Sequence, residues 1–219
     1  MHPTARLFRF IPLALALALA GGCAIGQLIG GMAASAEREG SHKVAAKYTG
    51  LRNRTFAVFI AADRTLQSEF PQVVPAFTRE ITRRLSENAG AAGVLPADEV
   101  LQFQFRRPGW TAMSQEDIAK ELEVDRLVFI ELNDFTLNDP GNRYEWRGVA
   151  SGTIRVIENN ESRFKLAFNE PVRVAYPDSE GQSIDTIAAQ TVLSELSRRF
   201  CERSAWASYD HEEANILKY

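Results

Sequence analysis

Two stretches of this chain are too apolar to show either side to water. Residues 55–62 read Thr-Phe-Ala-Val-Phe-Ile-Ala-Ala, and residues 126–132 read Arg-Leu-Val-Phe-Ile-Glu-Leu. A half-exposed strand alternates apolar and polar residues, whereas a strand buried on both faces reads as a nearly continuous apolar run. Both runs therefore predict strands in the interior of a sheet, side by side and covered by helices.

The segments around them supply those helices. Val74, Phe77, Ile81 and Leu85 recur at three and four residues, with Arg79, Glu80, Arg83 and Arg84 opposite, which predicts an amphipathic helix. Val94 and Leu95 predict a very short strand, and residues 97–105 a short helix. Ser114 with Asp117 three places on is a capping pattern, and Ile118, Ala119 and Leu122 give the helix after it a buried face. Beyond the turn at 138–142 the period changes to two. Trp146, Gly148, Ala150, Gly152, Ile154 and Val156 form one face of an antiparallel strand. Residues 163–168 return with Phe164, Leu166 and Phe168 together, facing the helices, and 172–176 form a further strand. A last helix over 183–203 is expected to turn Ile184, Ile187, Ala188, Thr191, Leu196 and Phe200 inward. No internal repeat or heptad run is evident. The fold class is α/β: a single domain with a mixed sheet, buried central strands, packing helices and an antiparallel meander.

The N-terminus carries an address. Arg6 and Arg9 precede an apolar run at 10–22, which ends in Ala20, Gly21, Gly22 and then Cys23. Thirteen residues are too few for a spanning helix, which needs about 20. The layout is that of a secretory signal peptide. Small residues directly before a cysteine resemble the lipobox of bacterial lipoproteins, although Leu19 stands one place further out than the usual leucine and Ala20 takes its position. The resemblance implies a covalent diacylglycerol and N-acyl lipid on Cys23 and a membrane-anchored chain in the cell envelope. Ala24 is not the aspartate that retains many lipoproteins at the inner membrane, which favours the outer membrane, facing the periplasm.

The expected organisation is a signal peptide at 1–22, a lipidated N-terminus and tether at 23–50, a domain at 51–203 and a tail at 204–219. Ile25, Leu28, Ile29 and Met32 either lie on the bilayer surface or belong to a loose linker. The segment ahead of Cys23 holds two of 25 basic residues and none of 28 acidic ones, so the mature chain stands at −5. A mildly acidic chain without a basic cluster argues against nucleic acid as partner. With Cys23 lipidated, Cys201 has no intrachain partner, and its apolar neighbours predict a small buried residue.

A buried strand at 56–61, a long helix at 74–85, the helix Ser-Gln-Glu-Asp-Ile-Ala-Lys-Glu-Leu at 114–122, the strand Asp-Arg-Leu-Val-Phe-Ile at 125–130 and a meander follow one another. This order resembles the periplasmic domains related to the curli-secretion lipoprotein CsgG, the penicillin-binding-protein activator LpoB and the N-terminal domain of TolB, over residues 52–176. Val124 stands where that group has a glycine before its Asp. The resemblance implies a non-enzymatic module that binds an envelope protein or assembles with itself; the alternative is a subunit of a curli-type secretion pore. A pore would need residues 146–168 as a spanning hairpin. Glu170 and Pro171 directly after its short return strand speak against that, and the hairpin is expected to stay in the soluble core.

The histidines are His2, His42 and His211, all outside the expected domain, so a Ser-His triad or His-rich metal site is not expected there. No glycine-rich phosphate loop is present, and no cofactor, metal or small-molecule substrate is expected. Asp134, Asp139 and Glu145 fit a solvated turn better than an acid/base pair. Two loops carry the arginine and aromatic residues typical of interface anchors: Arg106, Arg107 and Trp110 in one, Arg143, Tyr144 and Trp146 in the other. Their tryptophans either serve as anchors or fold back onto the core.

Replacing the thiol tests the anchor. Cys23→Ser should abolish incorporation of labelled palmitate and leave the chain uncut or released from membranes. Undiminished labelling would reject the lipoprotein reading.

Overall fold

The computed structural model describes residues 40–160 and 163–215. Cys23, the signal segment and most of the tether lie outside these residues. In chain order the elements are β1 (Ser41–Val44), β2 (Thr55–Ala62), α1 (Arg64–Glu69), α2 (Val73–Asn88), β3 (Gly93–Val94), α3 (Ala97–Arg106), a 3-10 turn (Pro108–Ala112), α4 (Gln115–Glu121), β4 (Arg126–Thr136), β5 (Gly148–Asn160), β6 (Arg163–Tyr176), α5 (Ala189–Trp206) and β7 (His211–Ala214). Residues 44–211 form one compact unit; among the described residues, 40–43 and 212–215 form a second. The second is a small ribbon of β1 and β7, in which Asn215 N donates to Gly40 O at 2.8 Å.

The larger unit is an α/β domain on a five-stranded mixed sheet of order β3-β2-β4-β5-β6. β2 and β4 run parallel, Phe56 beside Arg126 and Ala62 beside Leu132. β4, β5 and β6 form the antiparallel meander. Both faces of β2 and β4 are buried, as their apolar runs require. On one face Val58, Ile60, Val128 and Ile130 pack under α2 and α5, where Phe77 stacks on Phe200 at 5.2 Å. On the other, Phe59 and Phe129 stack at 5.6 Å beneath α3 and α4, against Val100 and Ile118.

β5 obeys the expected alternation, with Gly148, Ala150, Gly152, Ile154 and Val156 inward. The glycines set how closely α5 approaches. A Cβ at Gly152 would sit 2.5 Å from the Glu131 carbonyl oxygen and 3.2 Å from the Phe200 ring; at Gly148 it would meet the Tyr176 carbonyl at 2.8 Å.

The return strand differs from expectation in two ways. It is one strand of 14 residues, running through Pro171. β6 is the sheet edge, where proline is tolerated because one side of the backbone has no ladder to feed. A β-bulge also shifts the pairing from Phe168 with Val156 to Leu166 with Ile157, leaving Ala167 as the extra residue. The bulge breaks the shared face. Phe168 joins the core under α2 and α5, Phe164 joins the other core, and Leu166 is left 49% exposed instead of covered.

Other boundaries move as well. α1 was not anticipated; Asp63 starts it, accepting from Leu66 N at 2.7 Å. α5 starts at Ala189, not Ser183, and its buried phase is Val192, Leu196 and Phe200, so Ile184, Ala188 and Thr191 are exposed. It ends at Trp206, with Ala207 and Ser208 buried beyond it. The stretch expected as tether already contains β1 and the buried Tyr48. One local repetition exists after all. Glu80-x-x-Arg83-Arg84-x-x-Glu87 on α2 and Glu195-x-x-Arg198-Arg199-x-x-Glu202 on α5 make the same bonds. Arg83 and Arg198 each reach the second glutamate at 2.6 Å, and Arg84 and Arg199 reach back to the first at 2.7 and 2.8 Å.

β4 is the middle strand, and Phe129 fills the core beneath α3 and α4. Phe129→Ala should lower unfolding free energy by about 3–5 kcal/mol in denaturant titrations. A midpoint equal to wild type would remove Phe129 from the core.

Candidate interaction surface

The two ends of the parallel strands differ in kind. At the amino end, polar groups tie strands together. Asp125 accepts from Thr55 N and Oγ1, both at 3.0 Å, and its own N–H donates to Thr55 Oγ1 at 3.0 Å. The backbone bond from Thr55, then its hydroxyl, hold the Asp125 carboxyl below the usual range. The left-handed turn before this aspartate falls on Glu123, φ 54°, which leaves Val124 free to bury its side chain where the resembled group has glycine. The buried Arg126 donates to Gly50 O at 3.1 Å and Asn160 Oδ1 at 3.1 Å. Tyr48 Oη donates to Glu158 Oε1 at 2.9 Å; burial, then this carboxylate, push its phenol pKa up. Tyr48 N donates to Ala207 O at 2.9 Å, just past α5. The chain thus enters and leaves this unit at the amino end.

At the carboxyl end lie the two loops singled out by sequence. Gln104 Nε2 donates to Ile60 O at 2.9 Å, which brings the last turn of α3 to the end of β2. Phe105 on that turn is 87% exposed, and Arg106 is exposed beside it. Arg107 is engaged: it pairs with Glu121 at 2.8 Å and lies 5.6 Å from the Phe103 ring. Trp110 folds back, meeting Phe59 edge-on at 5.0 Å. Of Arg106, Arg107 and Trp110, only Arg106 is presented to solvent without a partner shown, and Phe105, which sequence reasoning passed over, is the exposed aromatic.

β4 overruns β2 by four residues, so the 137–147 loop stands further out at the same end. Asn142 Oδ1 accepts from Tyr144 N at 3.0 Å, and Asn138 Nδ2 donates to Glu145 O at 2.7 Å. Across from it runs the 177–188 loop. Trp146 N donates to Gln182 O at 2.8 Å, Ile184 N to Tyr144 O at 3.1 Å, and Trp146 Nε1 to Ile187 O at 2.8 Å. These bonds make a short two-stranded ridge whose top is Tyr144, 79% exposed, beside Ile184, 40% exposed. Arg143 is exposed on it, while Trp146 is half-buried and braces it from below. Ile184 was expected inside a helix, and its exposure follows from the later start of α5.

Behind the ridge, Arg199 is buried on α5. It grips Asp178 with both terminal nitrogens, at 2.6 and 2.9 Å, and donates to Ala175 O at 2.9 Å and Glu195 Oε1 at 2.8 Å. Hydrogen bonds from Arg198 first, and from Arg199, hold the Glu195 carboxyl down to about 2. Cys201 lies buried nearby, and burial pushes its thiol up, away from the nucleophilic thiolate. Among the described residues, no group of three or more His, Cys, Asp or Glu is placed to hold a metal ion, and no helix is long and apolar enough to cross a membrane.

No family model matches the chain, and no curated protein matches it in sequence. Solved structures similar to it include the PelC dodecamer from Paraburkholderia phytofirmans, with TM-score 0.42 and 10% identity, over 78% of this chain and 97% of that one. Another is lipoprotein GNA1162 from Neisseria meningitidis, with TM-score 0.43 and 11% identity, over 68% and 97%. A third is the hypothetical protein CT253 from Chlamydia trachomatis, with TM-score 0.39 and 18% identity, over 71% and 98%.

The lowered Glu195 pKa has a definite sign in acid. Its stabilising effect is complete above the ordinary value of 4.5 and is lost as pH falls toward about 2. Glu195→Gln should therefore be less stable than wild type at neutral pH, and the difference should shrink between those limits in denaturant titrations. A difference independent of pH would sever Glu195 from acid unfolding.

Proposed function

We propose that this chain is a lipid-anchored envelope protein, held by acyl chains on Cys23, whose domain is a non-catalytic module for binding another protein. The arrangement of residues 13–23 supports the anchor, and Ala24 supports the outer membrane, with the domain in the periplasm. The order of strand, helices, strand and meander supports placing the domain with the CsgG, LpoB and TolB N-terminal-domain group.

One observation carries the binding role. The chain enters and leaves the domain at the amino end of the parallel strands, while Phe105 and Tyr144 stand exposed at the carboxyl end. The 11 residues of β4 span about 36 Å and set the Tyr144 ridge far from the amino end, while Phe105, on the turn tied to Ile60 O, stands nearer to it. The surface offered to a partner is therefore remote from the attachment of the tether. Exposed aromatics beside arginine are typical anchors of protein interfaces. The curli-type pore is the weaker reading, because β5 and β6 pair within the domain sheet and β5 packs beneath α5.

A photoreactive phenylalanine at position 105 or 144 of the full chain, produced in intact cells, should give a discrete adduct. The same group at the exposed Arg52, at the amino end, should not. Adducts of equal yield from all three positions, or from none, would overturn the placement of the binding surface.

A further inference from the structure

The ridge is made of two loops, and loops of 11 and 12 residues are ordinarily mobile. This one has a device that fixes it. The 177–188 loop leaves the edge strand β6 and is linked to the 137–147 loop by the three bonds of Tyr144 and Trp146. Those bonds form only if the 177–188 loop sets out in the right direction. Arg199 sits at that departure point. Its guanidinium binds the end of β6 through Ala175 O, lies 4.8 Å from the Tyr176 ring, and takes both carboxylate oxygens of Asp178. A bidentate arginine–carboxylate pair fixes direction as well as distance, which a lysine ammonium cannot do. Arg199 is itself immobile, buried in α5 and bound to Glu195.

We propose that Arg199 is a positioning residue. By clasping Asp178 it holds the 177–188 loop in register against Tyr144–Trp146, so that the Tyr144 and Ile184 ridge exists before any partner arrives. The inference deepens the reading of the carboxyl end as the docking surface and rests on it for its purpose. The clasp itself is a property of the free chain. Its consequence for binding is that the ordering cost of the ridge is met in folding, not on association.

The test is hydrogen–deuterium exchange, followed by mass spectrometry on the detergent-solubilised full chain. It compares wild type with Arg199→Lys and Asp178→Asn. Arg199→Lys keeps the charge and loses the fork. Asp178→Asn keeps the shape and leaves the Arg199–Glu195 contact on α5 in place. Peptides covering 143–147 and 181–187 should exchange about tenfold faster or more in both variants, while peptides from β2 and β4 keep wild-type protection. Arg199→Lys removes a buried fork and can weaken the whole domain, so Asp178→Asn decides. Unchanged protection of 143–147 and 181–187 in Asp178→Asn overturns the clasp. So does faster exchange spread evenly over the core. The binding reading is judged separately: a loosened ridge with undiminished crosslinking from position 144 would reject docking through the ridge and leave the clasp standing.

Discussion

The structure depends on burying both faces of β2 and β4. Each carries large apolar side chains in both directions, such as Val58 and Ile60 one way and Phe59 the other. A sheet that holds such strands must be sandwiched. The chain complies by sending α2 to one face and α3 with α4 to the other. Past β4 the constraint relaxes. β5 alternates, α5 covers its apolar face, and the opposite face carries Ser151, Thr153 and Arg155, only partly shielded. The domain is thus three layers thick at one side and two at the other. The carboxyl end gathers a turn from the thick side and two loops from the thin side, which is how segments far apart in sequence come to share one surface.

Charge does different work at the two ends and along the helices. Arg126 and Asp125 gather backbone groups where β2, β4 and β5 meet, and Arg126, itself buried, has its charge compensated there by carbonyl oxygens. Apart from the buried Arg199, the paired cassettes on α2 and α5 are half-buried or exposed, and their ion pairs are individually modest. Their arrangement matters more than any single bond, because Arg84 also reaches Glu202 at 3.5 Å and joins the two helices.

Much of the scaffold was legible in the sequence because burial leaves a periodic trace. The apolar runs gave β2 and β4, the three-four spacing gave α2, Ser114 and Asp117 gave the start of α4, and the period of two gave β5. What escaped leaves no such trace. The bulge at Ala167 is one extra residue in a strand whose composition is unchanged by it. Ile184 is apolar yet sits on a loop, so a pattern reader places it inside a helix. Trp110 in its loop and Phe105 at the end of α3 carry similar aromatic side chains, and only packing against Phe59 separates the folded-back ring from the presented one. Arg199 reads as an ordinary helix-surface arginine, since the partner that buries it, Asp178, lies 21 residues away.

The long edge strand has a consequence of its own. A free edge of 14 residues would ordinarily template a strand from a neighbouring copy. The bulge at Ala167 kinks that edge, and four residues later Pro171 withholds a donor. Together they divide the edge into shorter runs of regular strand. Wherever two copies of this chain meet edge to edge, this irregular border disfavours their fusing into a continuous sheet.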